Sequence, residues 1–123
     1  MKNVFDLTGK TALITGAGGL LGPKHAEALI EYGSRVIITD HHEDRAVEKA
    51  AELNNKYDKE SAIPFYMDVT DKSSIEDVVN RFDKIDILIN NAAKDPKVKK
   101  ESGLTPASRF ETMTPEYWFE GIN

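Results

Sequence analysis

Cysteine is absent from the sequence, which has 123 residues. A chain without thiols forms no disulfides and offers no thiolate to a metal ion, so cysteine usage indicates nothing about the redox compartment. Histidine is scarce as well: the three residues His25, His41 and His42 show none of the spacing that is typical of zinc ligands. We therefore expect no metal site.

Long apolar runs and an excess of basic residues are also missing. The N-terminal segment MKNVFDLTGK lacks the apolar stretch of a signal peptide, and no segment is long enough to cross a bilayer. The net charge is -5 at pH 7, which gives no general attraction to nucleic acid or to an anionic membrane. These absences predict a cytoplasmic protein without a nucleic-acid or membrane partner.

What the chain does contain is a regular alternation of two patterns. Short apolar segments bounded by turn residues predict four buried strands, at Thr11–Thr15, Arg35–Thr39, Ile63–Met67 and Ile85–Ile89. Helical patterns separate them, at Leu20–Tyr32, at Asp44–Leu53 with Asn54-Asn55 as its end, and from a capping box of Ser73 and Glu76 to Phe82. Apolar strands that alternate with helices indicate an α/β fold, in which helices cover both faces of a parallel sheet.

The last third of the chain breaks this alternation. The polar segment Lys94–Ser108 contains two prolines and a glycine and predicts a long loop. Thr114, Pro115 and Glu116 then give the cap, the proline and the acid that are typical of a helix start.

The segment TGAGGLLG, residues 15–22, has four glycines and follows the first predicted strand. At this place in a parallel α/β sheet, the N-terminus of a helix offers unpaired N–H groups and about half a positive charge. Gly16, Gly18 and Gly19 would let an anion approach the backbone, and Gly22 would let the helix pack on the sheet. The pattern favours a pyrophosphate as the ligand, whereas a tight strand-to-helix turn would explain it without one.

Asp40 follows the second predicted strand, where dinucleotide-binding folds place an acid that accepts hydrogen bonds from the adenosine ribose. A helix cap or a solvated turn residue is the alternative interpretation. Because the glycine segment and Asp40 occur in the order that this motif requires, the two together predict dinucleotide binding. No Lys-Ser or Lys-Thr pair ends the glycine segment, which argues against a P-loop.

These motifs, in this order, resemble the short-chain dehydrogenase/reductase family over the whole chain. The resemblance rests on LTGKTALITGAGGLLG, on Asp40, on Asp68-Val69-Thr70, on NNAA at residues 90–93 and on TPEYWFEGIN. It implies a three-layer Rossmann-type sheet in the strand order 3-2-1-4. It also implies an NAD-dependent oxidoreductase that transfers hydride between nicotinamide and an alcohol or carbonyl substrate. The residues that it places at the cofactor are Gly16, Gly18, Gly19, Leu21, Asp40, Asp68, Val69, Asn91 and Ala92.

The resemblance also distributes roles within that set. The glycines and Leu21 would line the pyrophosphate and nicotinamide, Asp68 and Val69 would contact adenine, and Asn91 and Ala92 would pass beneath the cofactor. A helix cap at Asp68 and a simple turn at Asn90-Asn91 are the alternatives. We expect NAD in preference to NADP, because Asp40 would repel a 2′-phosphate, although Arg45, His41 and His42 lie close to it in sequence.

Two positions depart from the commonest motifs of the family. Leu20 replaces the middle glycine of TGxxxGxG, so that the segment fits the TGxxGxxG of other branches, and Ala93 stands where many members have glycine. No Tyr-x-x-x-Lys pair occurs, so we assign no catalytic residue. We therefore expect residues 1–123 to be the NAD-binding Rossmann half of a longer domain and to be inactive alone.

Two other functions stay open for this sequence. One is a nucleotide-sugar epimerase or dehydratase of the same family, and the other is a stand-alone dinucleotide-binding module that senses redox state. For the oxidoreductase we expect a small-molecule substrate and a homo-oligomer. The fourth strand would lie at a sheet edge and recruit other chains, and Gly16→Val would abolish cofactor binding while the fold stays largely intact.

Overall fold

Four strands and three helices alternate along the part of the chain that the computed structural model describes, residues 3–93 and Pro115. The chain divides into two compact units, residues 1–92 and 93–123, and all of these elements lie in the first. In chain order they are β1 (Thr11–Ile14), α1 (Gly22–Glu31), β2 (Arg35–Asp40), α2 (Glu43–Lys56), β3 (Ala62–Tyr66), α3 (Lys72–Arg81) and β4 (Ile87–Ile89). The predicted alternation of strands and helices is confirmed.

The four strands form one parallel sheet in the order β3-β2-β1-β4. Leu13 of β1 stands opposite Ile37 of β2 on one side and opposite Leu88 of β4 on the other. Parallel neighbours need a crossover connection, and the three helices supply it. The predicted fold class and strand order are therefore confirmed. β4 ends this order, and the recruitment of other chains by its edge stays a prediction.

One face of the sheet is buried under α1 and α2. Ala12 and Ile14 of β1 and Val36 and Ile38 of β2 point to this face, because alternate residues of a strand share a face. The helices meet them through Ala26 of α1 and Ala46, Ala50 and Leu53 of α2, and three of these four side chains are only methyl groups. Alanine lets the helices lie close to the sheet, so this layer is tightly packed.

α3 covers part of the opposite face, and Leu88 of β4 stays 58% exposed. Leu13 and Ile37 point to this side and pack with Met67 and with Val78 of α3. Phe65 and Phe82 extend the cluster with an edge-to-face contact, their ring centroids 5.5 Å apart. The sheet thus lies between two helical layers, as predicted.

Several predicted boundaries are wrong. α3 is capped by Asp71, whose carboxylate accepts the Ser73 N–H, so Ser73 and Glu76 form no capping box and the helix begins earlier. α2 continues through Asn54-Asn55 to Lys56. The side-chain amide of Asn54 does not compete for the backbone of its own helix, because it forms hydrogen bonds with both the N–H and the C=O of Ala62 in β3. β4 is shorter than predicted and begins at Ile87, while α1 begins at Gly22.

Two predictions fall on other parts of the chain. The predicted loop Lys94–Ser108 lies outside the described residues, as do Thr114 and Glu116 of the predicted helix start. Pro115 between them is helical, in agreement with that prediction. Among the described helices, none has the length and apolarity that a membrane span requires.

Candidate functional site

The carboxyl ends of the four strands carry all the residues that the sequence predicts for the site. Because the strands are parallel, these ends lie along one edge of the sheet. The glycine turn, residues 15–21, follows β1, and Asp40 is the last residue of β2. Asp68 and Val69 follow β3, and Asn91 and Ala92 follow β4. β1 lies between β2 and β4, so the glycine turn is at the centre of this edge.

A buried hydroxyl ties the glycine turn to the segment after β4. Thr15 is 5% exposed, and its Oγ1 accepts hydrogen bonds from the N–H groups of Asn91 and Ala92, each 3.0 Å long. In return, the side-chain amide of Asn91 donates to the Gly16 carbonyl at 3.1 Å. These three bonds fix Asn91 and Ala92 beside the turn. Sequence reasoning gave Thr15 no role of its own, and the only signal was its position between strand and glycine.

Packing inside the protein explains three of the four glycines in the segment. Gly16 has a left-handed backbone with φ of 59°, and a Cβ on it would lie 2.7 Å from the Ala92 Cα. A Cβ on Gly18 would lie 2.6 Å from the Arg45 Cβ, and one on Gly22 would lie 2.4 Å from the Ala17 Cα. The expectation that Gly16→Val leaves the fold largely intact is therefore wrong, because the added side chain would collide with the backbone of Ala92.

Gly19 is different from these three glycines. It is exposed, its φ lies outside the left-handed region, and a Cβ on it would meet only the Gly16 carbonyl oxygen, at an ordinary distance of 3.7 Å. The fold therefore has room for a side chain at this position. Internal packing therefore does not require glycine at this position.

The N-terminus of α1 lies directly beyond Gly19. Leu21 occupies the capping position and forms no side-chain capping bond, and the first turn of the helix has no acidic residue. The peptide dipoles of α1 therefore place a partial positive charge at the glycine turn. No acidic side chain in the first turn of α1 neutralises this charge. Leu20 and Leu21 are both exposed here, so the turn faces solvent.

Asp40 is a buried carboxylate that joins the glycine turn to the start of α2. It is 5% exposed; its Oδ2 accepts the Gly18 N–H at 3.0 Å and its Oδ1 accepts the His42 N–H at 2.8 Å. The imidazole Nδ1 atoms of His41 and His42 each lie 3.5 Å from Oδ1. Each carboxylate oxygen still has a lone pair for a further donor. Contact with a ribose stays a prediction.

Asp68 shapes the turn between β3 and α3. Its Oδ1 accepts both the N–H and the hydroxyl of Thr70, at 2.9 and 2.7 Å, and these bonds hold the pKa of its carboxyl below the ordinary value of 3.8. Its own N–H donates to the Ser74 hydroxyl oxygen, and the neighbouring Val69 is exposed. Asp71, not Asp68, caps α3. A contact of Asp68 and Val69 with adenine stays a prediction.

A cavity of about 380 Å³ lies at the opposite edge of the sheet, around the amino ends of the strands. Its lining includes Lys10, Arg35 and Lys59. None of the predicted site residues borders this cavity, so it is separate from the candidate site at the carboxyl edge.

Comparison with known proteins agrees with this geometry. The model of the family described as short chain dehydrogenase matches residues 10–119. A relative, 15-hydroxyprostaglandin dehydrogenase [NAD(+)] of Macaca fascicularis, is 36% identical over 92 residues, which are 72% of this chain and 35% of that protein. The chain thus spans about a third of the length of such relatives.

Two solved structures are similar over almost the whole chain. The first is 3-ketoacyl-(acyl-carrier-protein) reductase from Brucella melitensis complexed with NADH, with a TM-score of 0.69 and 28% identity, over 94% of this chain and 43% of that one. The second is a gluconate 5-dehydrogenase from Burkholderia cenocepacia in complex with NADP and tartrate, with a TM-score of 0.73 and 26% identity, over 96% and 43%. The strand order, the glycine turn and these matches together show that the chain belongs to the short-chain dehydrogenase family.

Proposed function

We propose that residues 1–123 form the NAD-binding half of a short-chain oxidoreductase domain. The nicotinamide, when bound, supplies hydride transfer to or from an alcohol or carbonyl carbon of a small molecule. The described residues bind and orient this cofactor, and we assign no catalytic side chain to them. We also propose that the whole protein is a homo-oligomer, in keeping with its family.

Gly19 is the observation that carries the proposal. Internal packing accounts for Gly16, Gly18 and Gly22, but a Cβ at position 19 would meet only the Gly16 carbonyl oxygen, at 3.7 Å. A pyrophosphate that lies on the turn would occupy that space. The N-terminus of α1 beside it has no acidic residue in its first turn, so it favours an anion there.

The remaining predicted residues extend the site along the carboxyl edge from this point. On one side, Asp40 accepts hydrogen bonds from the adenosine ribose, and Asp68 and Val69 border the adenine. On the other side, Asn91 and Ala92 lie beneath the nicotinamide half, where the Thr15 hydroxyl holds their backbone. Leu21, exposed at the start of α1, borders the pyrophosphate and nicotinamide. This arrangement follows the direction in which dinucleotides cross a Rossmann-type sheet.

The charge at Asp40 favours NAD over NADP. A 2′-phosphate beside this carboxylate would cost up to ~4 kcal/mol per unit charge at an effective dielectric constant near 20. The relative from Macaca fascicularis, whose name specifies NAD(+), supports the same choice. Arg45 argues against this choice, because its positive charge would attract a 2′-phosphate. Its Cβ lies against Gly18, and this exposed residue belongs to the first turn of α2.

Titration calorimetry with NAD tests the proposal on the wild-type protein and on Gly19→Ala and Gly19→Val. We expect the wild-type protein to bind NAD. The NAD affinity should fall as the side chain at position 19 grows, and for valine it should fall about tenfold or more, which is ~1.4 kcal/mol. Thermal unfolding should change little, because position 19 has room for the side chain.

Leu20→Ala is the matched control, since it changes the neighbouring exposed residue without adding volume to the turn. It should keep most of the NAD affinity. Equal NAD affinity in the wild type and in Gly19→Val would show that the turn binds no pyrophosphate and would refute the proposed site.

A further inference from the structure

Asp40, His41 and His42 form a cluster of potential metal ligands at the end of β2. One donor atom from each of the three residues lies within 4.8 Å of the donor atoms of the other two. The two imidazole Nδ1 atoms are each 3.5 Å from the same carboxylate oxygen, Asp40 Oδ1. The imidazole rings are tilted by 54° with their centroids 4.0 Å apart, so they do not stack face to face.

These distances match the edge of a tetrahedral zinc site. With ligand bonds of about 2.0–2.2 Å, neighbouring donors of tetrahedral Zn²⁺ lie about 3.4 Å apart. The two observed separations of 3.5 Å are therefore already close to those of a metal-bound arrangement. The two imidazole donors lie within 4.8 Å of each other, so rotation of these exposed rings would bring the three donors around one ion.

The exposure and the chemistry of the three side chains also suit a metal ion. The Asp40 side chain is 7% exposed and is fixed by the Gly18 and His42 N–H groups, whereas the two imidazoles are 63% and 45% exposed and have room to adjust. Oδ1 accepts one of these hydrogen bonds and has a second lone pair for the ion. One carboxylate and two imidazoles form a donor set that favours Zn²⁺ and its neighbours over Mg²⁺.

We propose that Asp40, His41 and His42 bind one divalent transition-metal ion of the Zn²⁺ class, with water completing its coordination. The same carboxylate is the proposed acceptor of the ribose hydroxyls, so the metal and the dinucleotide exclude each other. The mutual exclusion of metal and dinucleotide rests on the function proposed above, whereas metal binding by itself does not. Residues adjacent in sequence lack the spacing of familiar zinc motifs, which is why the sequence alone predicted no metal.

Zinc titration of the untagged, purified protein tests the site. Calorimetry with ZnCl₂ should show one ion bound per chain, and MgCl₂ should show no binding at the same concentrations. His41→Gln and His42→Gln should each weaken zinc binding by about tenfold or more, since even the loss of an outer-sphere partner has that effect at metal sites. His25→Gln, an exposed histidine of α1 outside the cluster, is the matched control and should bind zinc as the wild type does.

The second titration adds NAD to the zinc-loaded protein. At a free zinc concentration about tenfold above its own dissociation constant, the apparent dissociation constant of NAD should rise about tenfold, and at the same zinc concentration His41→Gln should reduce this rise to about twofold or less. Zinc binding without NAD binding would leave the metal site standing and refute the proposed function. No zinc binding, or zinc binding that neither histidine substitution weakens, would overturn the metal site. Zinc and NAD that bind without mutual effect would overturn their exclusion.

Discussion

Replacing Thr15 with valine removes one hydroxyl and keeps the branched shape of the side chain. The lost Oγ1 accepts two hydrogen bonds in the wild type, from the N–H groups of Asn91 and Ala92. Leaving a buried donor without a partner costs about 1–3 kcal/mol. Neither N–H is left without a partner, however: the half-buried Asn91 N–H also donates to the Ile89 carbonyl at 3.1 Å, and Ala92 is exposed, so its N–H can bond to water instead. We therefore expect Thr15→Val to lower the free energy of unfolding by about 0.5–1.5 kcal/mol, the net worth of an ordinary hydrogen bond, and not by the larger cost of an unpaired buried donor.

Urea unfolding measures this change, and Thr15→Ser is the matched control. Serine keeps the hydroxyl and removes a buried methyl group, which costs about 0.8 kcal/mol. Since the two losses of stability could be similar in size, amide hydrogen exchange distinguishes them. Exchange at the Asn91 and Ala92 N–H groups should accelerate in Thr15→Val by more than the loss of global stability explains, and it should not do so in Thr15→Ser. Unchanged protection of both N–H groups in the valine variant would refute the role given to this hydroxyl.

Three further predictions concern the same edge and the start of β1. Asp40→Asn should reduce NAD affinity and narrow the preference over NADP, because it removes the charge that repels a 2′-phosphate; calorimetry with both cofactors measures this, and tighter binding of NADP than NAD by the wild type would contradict it. Gly16→Val should lower the melting temperature measured by circular dichroism, because the left-handed backbone costs a side chain about 1–2 kcal/mol and the Ala92 backbone lies in its way; a melting temperature equal to that of the wild type would show that the turn can relax. The pKa of Asp86 is held below its ordinary value of 3.8, chiefly by the Thr11 N–H that its carboxylate accepts. A lowered carboxyl pKa in the folded state stabilises the fold above that ordinary value and loses its effect as the pH falls through the folded pKa. Unfolding free energy should therefore drop in acid, and Asp86→Asn should make that drop smaller, whereas an identical pH profile would contradict this assignment.

Local sequence signals were sufficient to predict the strands and the turn that carry the site. The apolar runs of β1 and β2 and the glycines after β1 predict strand, turn and strand because each depends on neighbouring residues only. The position of Asp40 at the end of β2 is a local property too, and it identified this residue. The order of the strands is a long-range property, and it came from the resemblance to a family.

The predicted helix boundaries are wrong where a distant hydrogen-bond partner or a competing capping residue determines the end of the helix. Asn54 stays inside α2 because its amide bonds to Ala62, which lies in the neighbouring strand. The start of α3 is set by Asp71, a capping residue that competes locally with the Ser73 capping box. In the first case, local propensity contained no information about the group that the side chain would meet.

The sequence by itself determined that a glycine-rich turn and an acidic residue would follow two neighbouring strands, since short-range periodicity and turn chemistry encode both. Only the tertiary structure decided what each glycine does. Ala92 is the steric partner of Gly16, and it lies 77 residues after Thr15, whose hydroxyl binds its N–H. The structure alone also distinguished Gly19, which no internal contact requires, and placed both imidazoles at one oxygen of Asp40. Such contacts depend on how the strands pair and the side chains turn, and no pattern of adjacent residues specifies that.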